Sequence, residues 1–192
     1  MRALISGLLF LFGCCVICCG SGVNVAKADD TGSDIPLEYR VKAAFLHRFL
    51  KFVEWPATAL PESQEVIRVG ILGDSPIIDA LIVINEKRVQ GREMVVLTSR
   101  NIQDLGHCQV IFFVQPATKP DRPAVLQSLI AELAGTAILL VGEEDQFLAR
   151  GGMINFVLSE DRLRFDINAK AATAANLHIN ANLLRLARRV ID

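Results

Sequence analysis

Short runs of Val, Ile, Leu and Phe with little polar alternation constrain the fold of this chain more than any other feature. They lie at residues 66–73 (VIRVGILG), 93–99 (EMVVLTS), 109–115 (QVIFFVQ) and 136–142 (TAILLVG). Strands that are apolar on both sides are covered on both faces, which is typical of parallel sheets. We therefore predict four buried strands in the middle of the chain.

Segments with helical spacing separate these runs. The first extends from Pro36 to Trp55, because Phe45, Phe49 and other apolar residues recur every three or four positions and Pro56 ends the pattern. Further helices are predicted from Ile77 to about Asn85, at about 124–134, and, as a short one opened by Glu143-Glu144-Asp145, around Phe147-Leu148. Strands that alternate with helices predict an α/β fold with a mainly parallel sheet and helices on both faces.

The carboxyl-terminal part has a different pattern. Residues 153–160 and 162–168 flank a tight turn at Glu160-Asp161, and the second segment alternates polar and apolar side chains. This alternation predicts a half-buried hairpin at the antiparallel margin of the sheet. Asn168 can cap a final helix, which we predict at about 169–190. No repeat or linker divides the chain, so residues 36–192 are predicted to form one domain.

The first 28 residues have the pattern of a secretory signal peptide. Arg2 precedes an uncharged apolar run, and Ala26-Lys27-Ala28 forms a small-x-small cleavage site. We predict cleavage after Ala28 and a flexible leader at 29–35. Two alternatives stay open: lipidation of Cys14 in a lipoprotein-like cleavage box, and an uncleaved membrane anchor. All three place the domain in the periplasm.

Cysteine usage depends on that processing. Four of the five cysteines lie in the amino-terminal segment, so Cys108 is the one that remains after cleavage. A single thiol cannot form an internal disulfide in an oxidising compartment. Because Cys108 begins an apolar run, we expect it to be buried and unreactive.

Charge and motif content argue against several function classes. The formal net charge is -1, so the chain has no basic surplus for nucleic acid. His47, His107 and His178 stand in no metal or triad motif. Gly70 and Gly73 are followed by neither the third glycine of a dinucleotide-binding loop nor the lysine of a P-loop. The acidic cluster at 143–145 has no second ligand group for a metal ion. We predict no enzyme activity, no catalytic residue, no metal and no cofactor.

Several sequence landmarks follow one another in a recognisable order. They are FLHRFLKFVEWP (45–56), VGILGDSP (69–76), CQVIFFV (108–114), VGE (141–143) with Phe147, GGMINF (151–156), RFDIN (164–168) and NLHINANLLRLA (176–187). Together they resemble the YfiR family of periplasmic proteins. The resemblance covers about residues 38–190, and KFVEWP, GGMINF and RFDIN are its more specific motifs.

This resemblance implies a single Rossmann-like α/β domain without known catalysis. The best-known member represses an inner-membrane diguanylate cyclase by binding its periplasmic part, which lowers cyclic di-GMP and biofilm formation. An outer-membrane lipoprotein that grips peptidoglycan captures that repressor and relieves the inhibition. The same member carries two disulfides, and this sequence lacks the exported cysteines to form them.

The resemblance also assigns the partner contact to the final hairpin and helix. On this sequence it points to Met153, Ile154, Phe156, Phe165, Asp166 and Leu177. Most of these apolar residues suit a core equally well, and Phe165 and Ile167 are expected to point inward together because they are two apart on a strand. An exposed apolar patch in this region would favour a binding surface.

Other functions and partners stay open at this stage. A small-ligand sensor would use the crevice at the carboxyl ends of parallel strands, where Arg68 and His178 are expected to receive an anion. An exported hydrolase is the least supported alternative, because no nucleophile–base pair can be named. A second copy of the chain is a further candidate partner.

Overall fold

The computed structural model describes residues 35–85, 88–114 and 122–192. These ranges lie within one compact unit, Asp34–Asp192. The signal peptide, nearly all of the leader and the lipidation alternative at Cys14 fall outside the described residues and stay predictions.

Five helices and nine strands are assigned in the described ranges. The helices are α1 (Leu37–Phe52), α2 (Ile77–Ile84), α3 (Arg122–Glu132), α4 (Ala169–Ala174) and α5 (Ala181–Leu184), with a 3-10 helix at Ile102–Leu105. The strands are β1 (Val53–Glu54), β2 (Val66–Leu72), β3 (Glu93–Ser99), β4 (Val110–Phe113), β5 (Leu139–Gly142), β6 (Ile154–Ser159), β7 (Arg162–Asn168), β8 (His178–Ile179) and β9 (Arg189–Ile191). None of these helices is long and apolar enough to cross a membrane.

Seven of the strands form one sheet in the order β3-β2-β4-β5-β6-β7-β9. Neighbours from β3 to β6 are parallel, β6 and β7 are antiparallel, and β9 is parallel to β7. β1 and β8 form a separate antiparallel pair. The predicted α/β fold with a mainly parallel sheet is confirmed.

The central strands are covered on both faces, as their composition predicted. In β4, Val110 and Phe112 pack into one apolar cluster with α1, whereas Ile111 and Phe113 pack into a second cluster with α3. Successive side chains of a strand point to opposite faces. An unbroken apolar run therefore has a buried neighbour for every side chain.

Helix α1 ends at Phe52, so the predicted extension to Trp55 is wrong. Val53 and Glu54 are extended and pair with Ile179 and His178. The Gln90 side-chain amide donates hydrogen bonds to the carbonyl oxygens of Leu50 (2.8 Å) and Val53 (3.1 Å) at this helix end. Long-range pairing therefore replaces the last helical turn before Pro56.

The hairpin is present, but it is not the margin of the sheet. Glu160 (φ 52°) and Asp161 (φ 56°) both have positive φ, as a two-residue type I′ turn requires. β9 pairs with the outer side of β7 over Asp166–Asn168. The sequence missed β9 because its three residues lie within a helical pattern.

The long final helix predicted at 169–190 is wrong. Asn168 does cap α4, accepting a hydrogen bond from the Ala171 N–H at 2.9 Å. The helix then stops in a Schellman motif: Asn176 has φ 58°, and the Leu177 N–H donates to the Ala172 carbonyl at 2.9 Å. The remaining residues form β8, α5 and β9 instead of further helical turns.

The short helix predicted around Phe147-Leu148 is also wrong, because this segment is a series of turns. The Asn155 side chain accepts from the Glu144 N–H and donates to the Glu144 carbonyl, both at 3.0 Å. Gln146 has φ 62°. The Asn155 hydrogen bonds and the left-handed backbone of Gln146 favour a series of turns over a continuous helix here.

Candidate partner-binding surface

An aromatic cluster joins α1 to the hairpin. The Phe45 and Phe49 rings of α1 lie 5.2 Å and 5.1 Å from the Phe165 ring, both edge to face. Phe156 lies beside Phe165 in the β6–β7 ladder, and its ring is 5.8 Å from Phe49. The helical spacing of Phe45 and Phe49 places both rings on the face that covers the hairpin.

Most of the predicted partner-binding residues are inside this core. Ile154, Phe156, Phe165 and Leu177 are at most 3% exposed. Met153 is half-buried and packs against the same cluster. Phe165 and Ile167 do point inward together, as predicted. These side chains support the surface from the core, so a partner that binds here contacts the exposed residues next to them.

Asp166 is buried on the opposite face of β7, at 2% exposure. The Arg188 guanidinium donates to both of its carboxylate oxygens, at 2.8 Å and 2.6 Å, and Arg189 adds a 3.2 Å ion pair. The hydrogen bonds that Arg188 donates to the Asp166 carboxylate raise the pKa of Arg188, and the negative charge of Asp166 adds to this effect. The charged pair attaches β9 to β7, which gives the RFDIN motif a structural purpose.

The glycines of GGMINF also have a structural explanation. A Cβ on Gly152 would lie 2.2 Å from the Phe147 ring, and a Cβ on Gly142 would lie 2.4 Å from it. The ring fills a slot between these two backbones and is fully buried. Phe147, VGE and GGMINF are therefore parts of one packing unit.

The KFVEWP motif connects to the start of the sheet. The Trp55 indole N–H donates to the Gln109 carbonyl at 3.2 Å. The buried Gln109 side chain accepts from the Arg68 N–H at 2.8 Å and donates to the Ala59 carbonyl at 3.1 Å. This network holds the loop after β1 against β2 and β4.

Beyond the aromatic cluster, the apolar face of the hairpin continues into solvent. Leu158, two residues past Phe156 on the same face, is 73% exposed. It lies directly across the ladder from Leu163, which is half-buried. We call Leu158 and Leu163 the Leu158 patch; whether it binds a partner stays a prediction.

An open groove of about 280 Å³ lies beside this patch. We call it the arginine groove; its lining residues are Phe45, Arg48, Arg162, Leu163, Arg164, Phe165 and Leu186. The three arginines are exposed, and Leu186 is 47% exposed. The polar–apolar alternation of residues 162–168 predicts that Arg162 and Arg164 share the polar side of a half-buried strand. Their convergence with Arg48 is not visible in the sequence, because it depends on how α1 packs on the hairpin.

A second charged cluster lies where β5 ends. Lys42, only 3% exposed, forms ion pairs with Glu38 and Glu143, and its ammonium nitrogen lies 4.9 Å from the centre of the Tyr39 ring. Burial lowers the pKa of Lys42, but hydrogen bonds and charge from Glu143 and Glu38 outweigh burial and leave that pKa raised. The lysine stays charged and attaches α1 to the loop after β5.

The two residues expected to receive an anion are not at the expected crevice. Arg68 lies in the amino-terminal half of β2, away from its carboxyl end at Leu72. His178 is exposed and belongs to β8, outside the large sheet. Ligand binding by either residue stays a prediction.

Cys108 is free and buried, as predicted. Burial raises the pKa of its thiol to about 11, although the positive charge of Arg68 lowers it somewhat. Within the described ranges, no group of three or more His, Cys, Asp or Glu side chains could hold a metal ion.

The chain matches a known protein family. The profile of the YfiR/HmsC-like family matches residues 39–188. The chain belongs to the YfiR/HmsC-like family. The matched range contains all of the elements from most of α1 to α5, including the arginine groove.

Other similarities are weaker. No curated protein matches this member of the YfiR/HmsC-like family. A crystal structure of a conserved domain protein from Vibrio cholerae O1 biovar El Tor superposes with a TM-score of 0.46 at 14% identity. That alignment covers 79% of this chain and 60% of the Vibrio chain.

Proposed function

We propose that this protein is an exported regulator that binds the periplasmic part of an inner-membrane diguanylate cyclase and inhibits it, so that cyclic di-GMP falls. Membership of the YfiR/HmsC-like family over residues 39–188 carries the proposal. The amino-terminal export pattern supports a periplasmic location. The protein acts here by binding and performs no catalysis of its own.

The arginine groove and the adjoining Leu158 patch are the proposed contact surface. They combine exposed apolar side chains with unshared positive charge on a rigid aromatic base. Such a combination is typical of protein interfaces, in which arginine is enriched and apolar anchors contribute much of the affinity. The buried residues Phe156 and Phe165 hold this surface in shape.

Inhibition requires the regulator to distinguish two states of the cyclase. A partner with equal affinity for both states shifts nothing, whereas moving an equilibrium from 1:99 to 99:1 needs about a 10⁴-fold difference in affinity. The regulator must therefore contact a cyclase segment whose conformation or exposure differs between the states. An outer-membrane lipoprotein that grips peptidoglycan would relieve inhibition by occupying the same surface.

Deletion and complementation test this role. Deleting the gene is expected to raise cellular cyclic di-GMP, and restoring the wild-type gene is expected to lower it again. Direct binding of the purified protein to the cyclase's periplasmic domain should accompany the effect. Unchanged cyclic di-GMP after deletion, together with no binding to that domain, would contradict the proposal.

A small-anion sensor is the second candidate, favoured by the three arginines around the arginine groove. Its volume of about 280 Å³ is near the lower end of the usual range for ligand pockets, about 300–1,000 Å³. Calorimetry with nucleotides and amino acids tests this role. Heat of binding that is lost in an Arg164→Glu variant would support it, and flat titrations would argue against it.

A further inference from the structure

The outer edge of β7 is open where it borders the arginine groove. β9 pairs with β7 over Asp166–Asn168, and the Phe165 carbonyl accepts from the Arg188 N–H. Within the described residues, no strand pairs with the outer side of residues 162–164. All three residues of this open segment line the groove. A strand edge with free backbone groups is a template for another strand.

Backbone direction along this edge follows from one hydrogen bond. The Phe165 carbonyl accepts from the Arg188 N–H at 2.9 Å, on the side of β7 that faces β9. In an antiparallel ladder, alternate residues direct both backbone groups to the same side. Leu163 therefore also presents its N–H and C=O outward, into the groove.

Charge around the edge selects what can bind there. Arg48, Arg162 and Arg164 line the groove, and no acidic side chain is among its lining residues. Within the described residues, none of these three guanidinium groups forms an ion pair with a carboxylate of the chain. Their positive charge favours acidic side chains on an incoming segment.

The groove also has apolar side chains that an occupant can contact. Phe45 of α1 and Leu186, in the turn between α5 and β9, both line the groove beside the open β7 segment. Side chains of an added strand alternate between two faces. An incoming strand could therefore place apolar residues against Phe45 and Leu186 and acidic residues beside the arginines.

We propose that the arginine groove binds an extended segment of a partner protein, rich in alternating acidic and apolar residues, which pairs with the outer edge of β7 at residues 162–164. The recognition combines backbone pairing with side-chain charge, which is the physical basis of strand addition. The proposal deepens the proposed function, because it gives the form of the cyclase segment that the surface accepts.

Fluorescence anisotropy with three labelled hexapeptides tests the mode of binding. The first has the sequence Glu-Val-Glu-Phe-Glu-Val, the second has Lys for each Glu, and the third is the acidic peptide with alternate backbone amides N-methylated, made in both phases of alternation. The acidic peptide is expected to bind at least about tenfold more tightly than the Lys peptide, because charge contributes, and at least about tenfold more tightly than the one N-methylated form whose methyl groups block the paired amides. The other N-methylated form, whose methyl groups face away from β7, is expected to keep most of its affinity. Equal binding of both N-methylated forms would overturn strand pairing, and no binding of the acidic peptide would overturn the whole proposal.

Matched variants of the full protein test the location. Arg48→Glu and Arg164→Glu are each expected to lower the affinity for the acidic peptide by at least about tenfold, because each substitution places a negative charge beside it. Arg40→Glu changes an exposed arginine of the same helix that does not line the groove, and it should leave affinity unchanged. Circular dichroism verifies that each variant is folded. If all three variants lower the affinity equally, binding depends on the net charge of the protein alone, and the groove is not the site.

The cyclase domain separates this inference from the proposed function. If the wild-type protein binds that domain and Arg164→Glu binds it equally well, the groove is not the contact, although the regulatory role stands. If the acidic peptide binds the groove but the cyclase domain does not bind the protein, the proposed function fails and the strand site stands. A change in sedimentation coefficient on Arg164→Glu would show that a second copy of the chain occupies the groove, which also contradicts the proposal.

Discussion

The Phe147 ring lies against the backbone of Gly152 so closely that a Cβ at residue 152 would fall 2.2 Å from ring carbons. The ring is fully buried and held on its other side by Gly142. Neither partner can give way without displacing β5 or the turn before β6. This contact makes the glycine a requirement of packing and not of backbone freedom.

Gly152→Ala is therefore expected to lower the free energy of unfolding by about 3 kcal/mol or more, at the upper end of the range for overpacking. Urea denaturation measures it. The control is Gly106→Ala, because a Cβ at the exposed Gly106 would meet its nearest atom at 3.7 Å and should change stability by less than about 0.5 kcal/mol. Equal effects of the two substitutions would contradict the packing argument.

Asp166→Asn removes the charge that holds Arg188 and Arg189. The expected loss of stability is about 1–3 kcal/mol, as for hydrogen bonds to charged groups, and thermal unfolding measures it. Asp74→Asn is the matched control, because Asp74 also pairs with an arginine, Arg100, but both side chains are exposed. Exposed pairs contribute little to stability, so the control should unfold like the wild type. Hydrogen exchange should speed up in β9 in the Asp166 variant and not in the control.

The Cys108 thiol makes stability depend on alkaline pH. Its pKa is about 11 in the folded protein, against an ordinary value of 9.0, because burial disfavours the thiolate. Below pH 9 the Cys108 thiol is protonated in both the folded and the unfolded protein, so its ionisation does not change stability. Between pH 9 and 11 the unfolded chain releases the proton first, so stability falls with rising pH, by about 2–3 kcal/mol in all.

Comparing the wild type with Cys108→Ala isolates this effect from other groups that titrate at high pH. Urea unfolding at pH 8, 9 and 10 should show the wild type losing stability relative to the variant above pH 9. A constant difference across this range would show that the thiol ionises as easily in the folded state as in the unfolded chain.

Two substitutions on one strand, Phe156→Ala and Leu158→Ser, separate the contribution of the core from that of the surface. Phe156→Ala should cost about 3–5 kcal/mol of stability, as expected for a buried ring. Leu158→Ser, two residues farther on the same face, should leave stability within about 0.5 kcal/mol because the side chain is 73% exposed. Leu158→Ser is instead expected to weaken binding to the cyclase domain in a pull-down or surface-binding assay. Unchanged binding would remove Leu158 from the contact surface.

The arginine groove could be predicted only in part from the sequence pattern. The alternation of Arg162 and Arg164 with Leu163 and Phe165 predicted a half-buried strand, and the structure has one. Arg48 lies far away along the chain, on α1, and nothing in the sequence pairs it with the hairpin. The groove exists because Phe45 and Phe49 pack on Phe165 and bring that helix face to the strand.

The sequence by itself determined the elements whose signals are local. Continuous apolar runs produce β2, β4 and β5 because both faces of each strand are covered, and paired left-handed residues at Glu160-Asp161 produce the hairpin. The apolar run at 93–99 also forms a strand, β3, but the prediction that it is buried is wrong, because β3 is the edge of the sheet and only Met94 in it is buried. Only the tertiary structure decided the carboxyl-terminal region and the site. There, an apolar pattern compatible with helix from 169 to 190 is divided among α4, β8, α5 and β9. Pairing with β1 and β7, and the charge of the buried Asp166, stabilise that arrangement through contacts distant in sequence, which no local periodicity encodes.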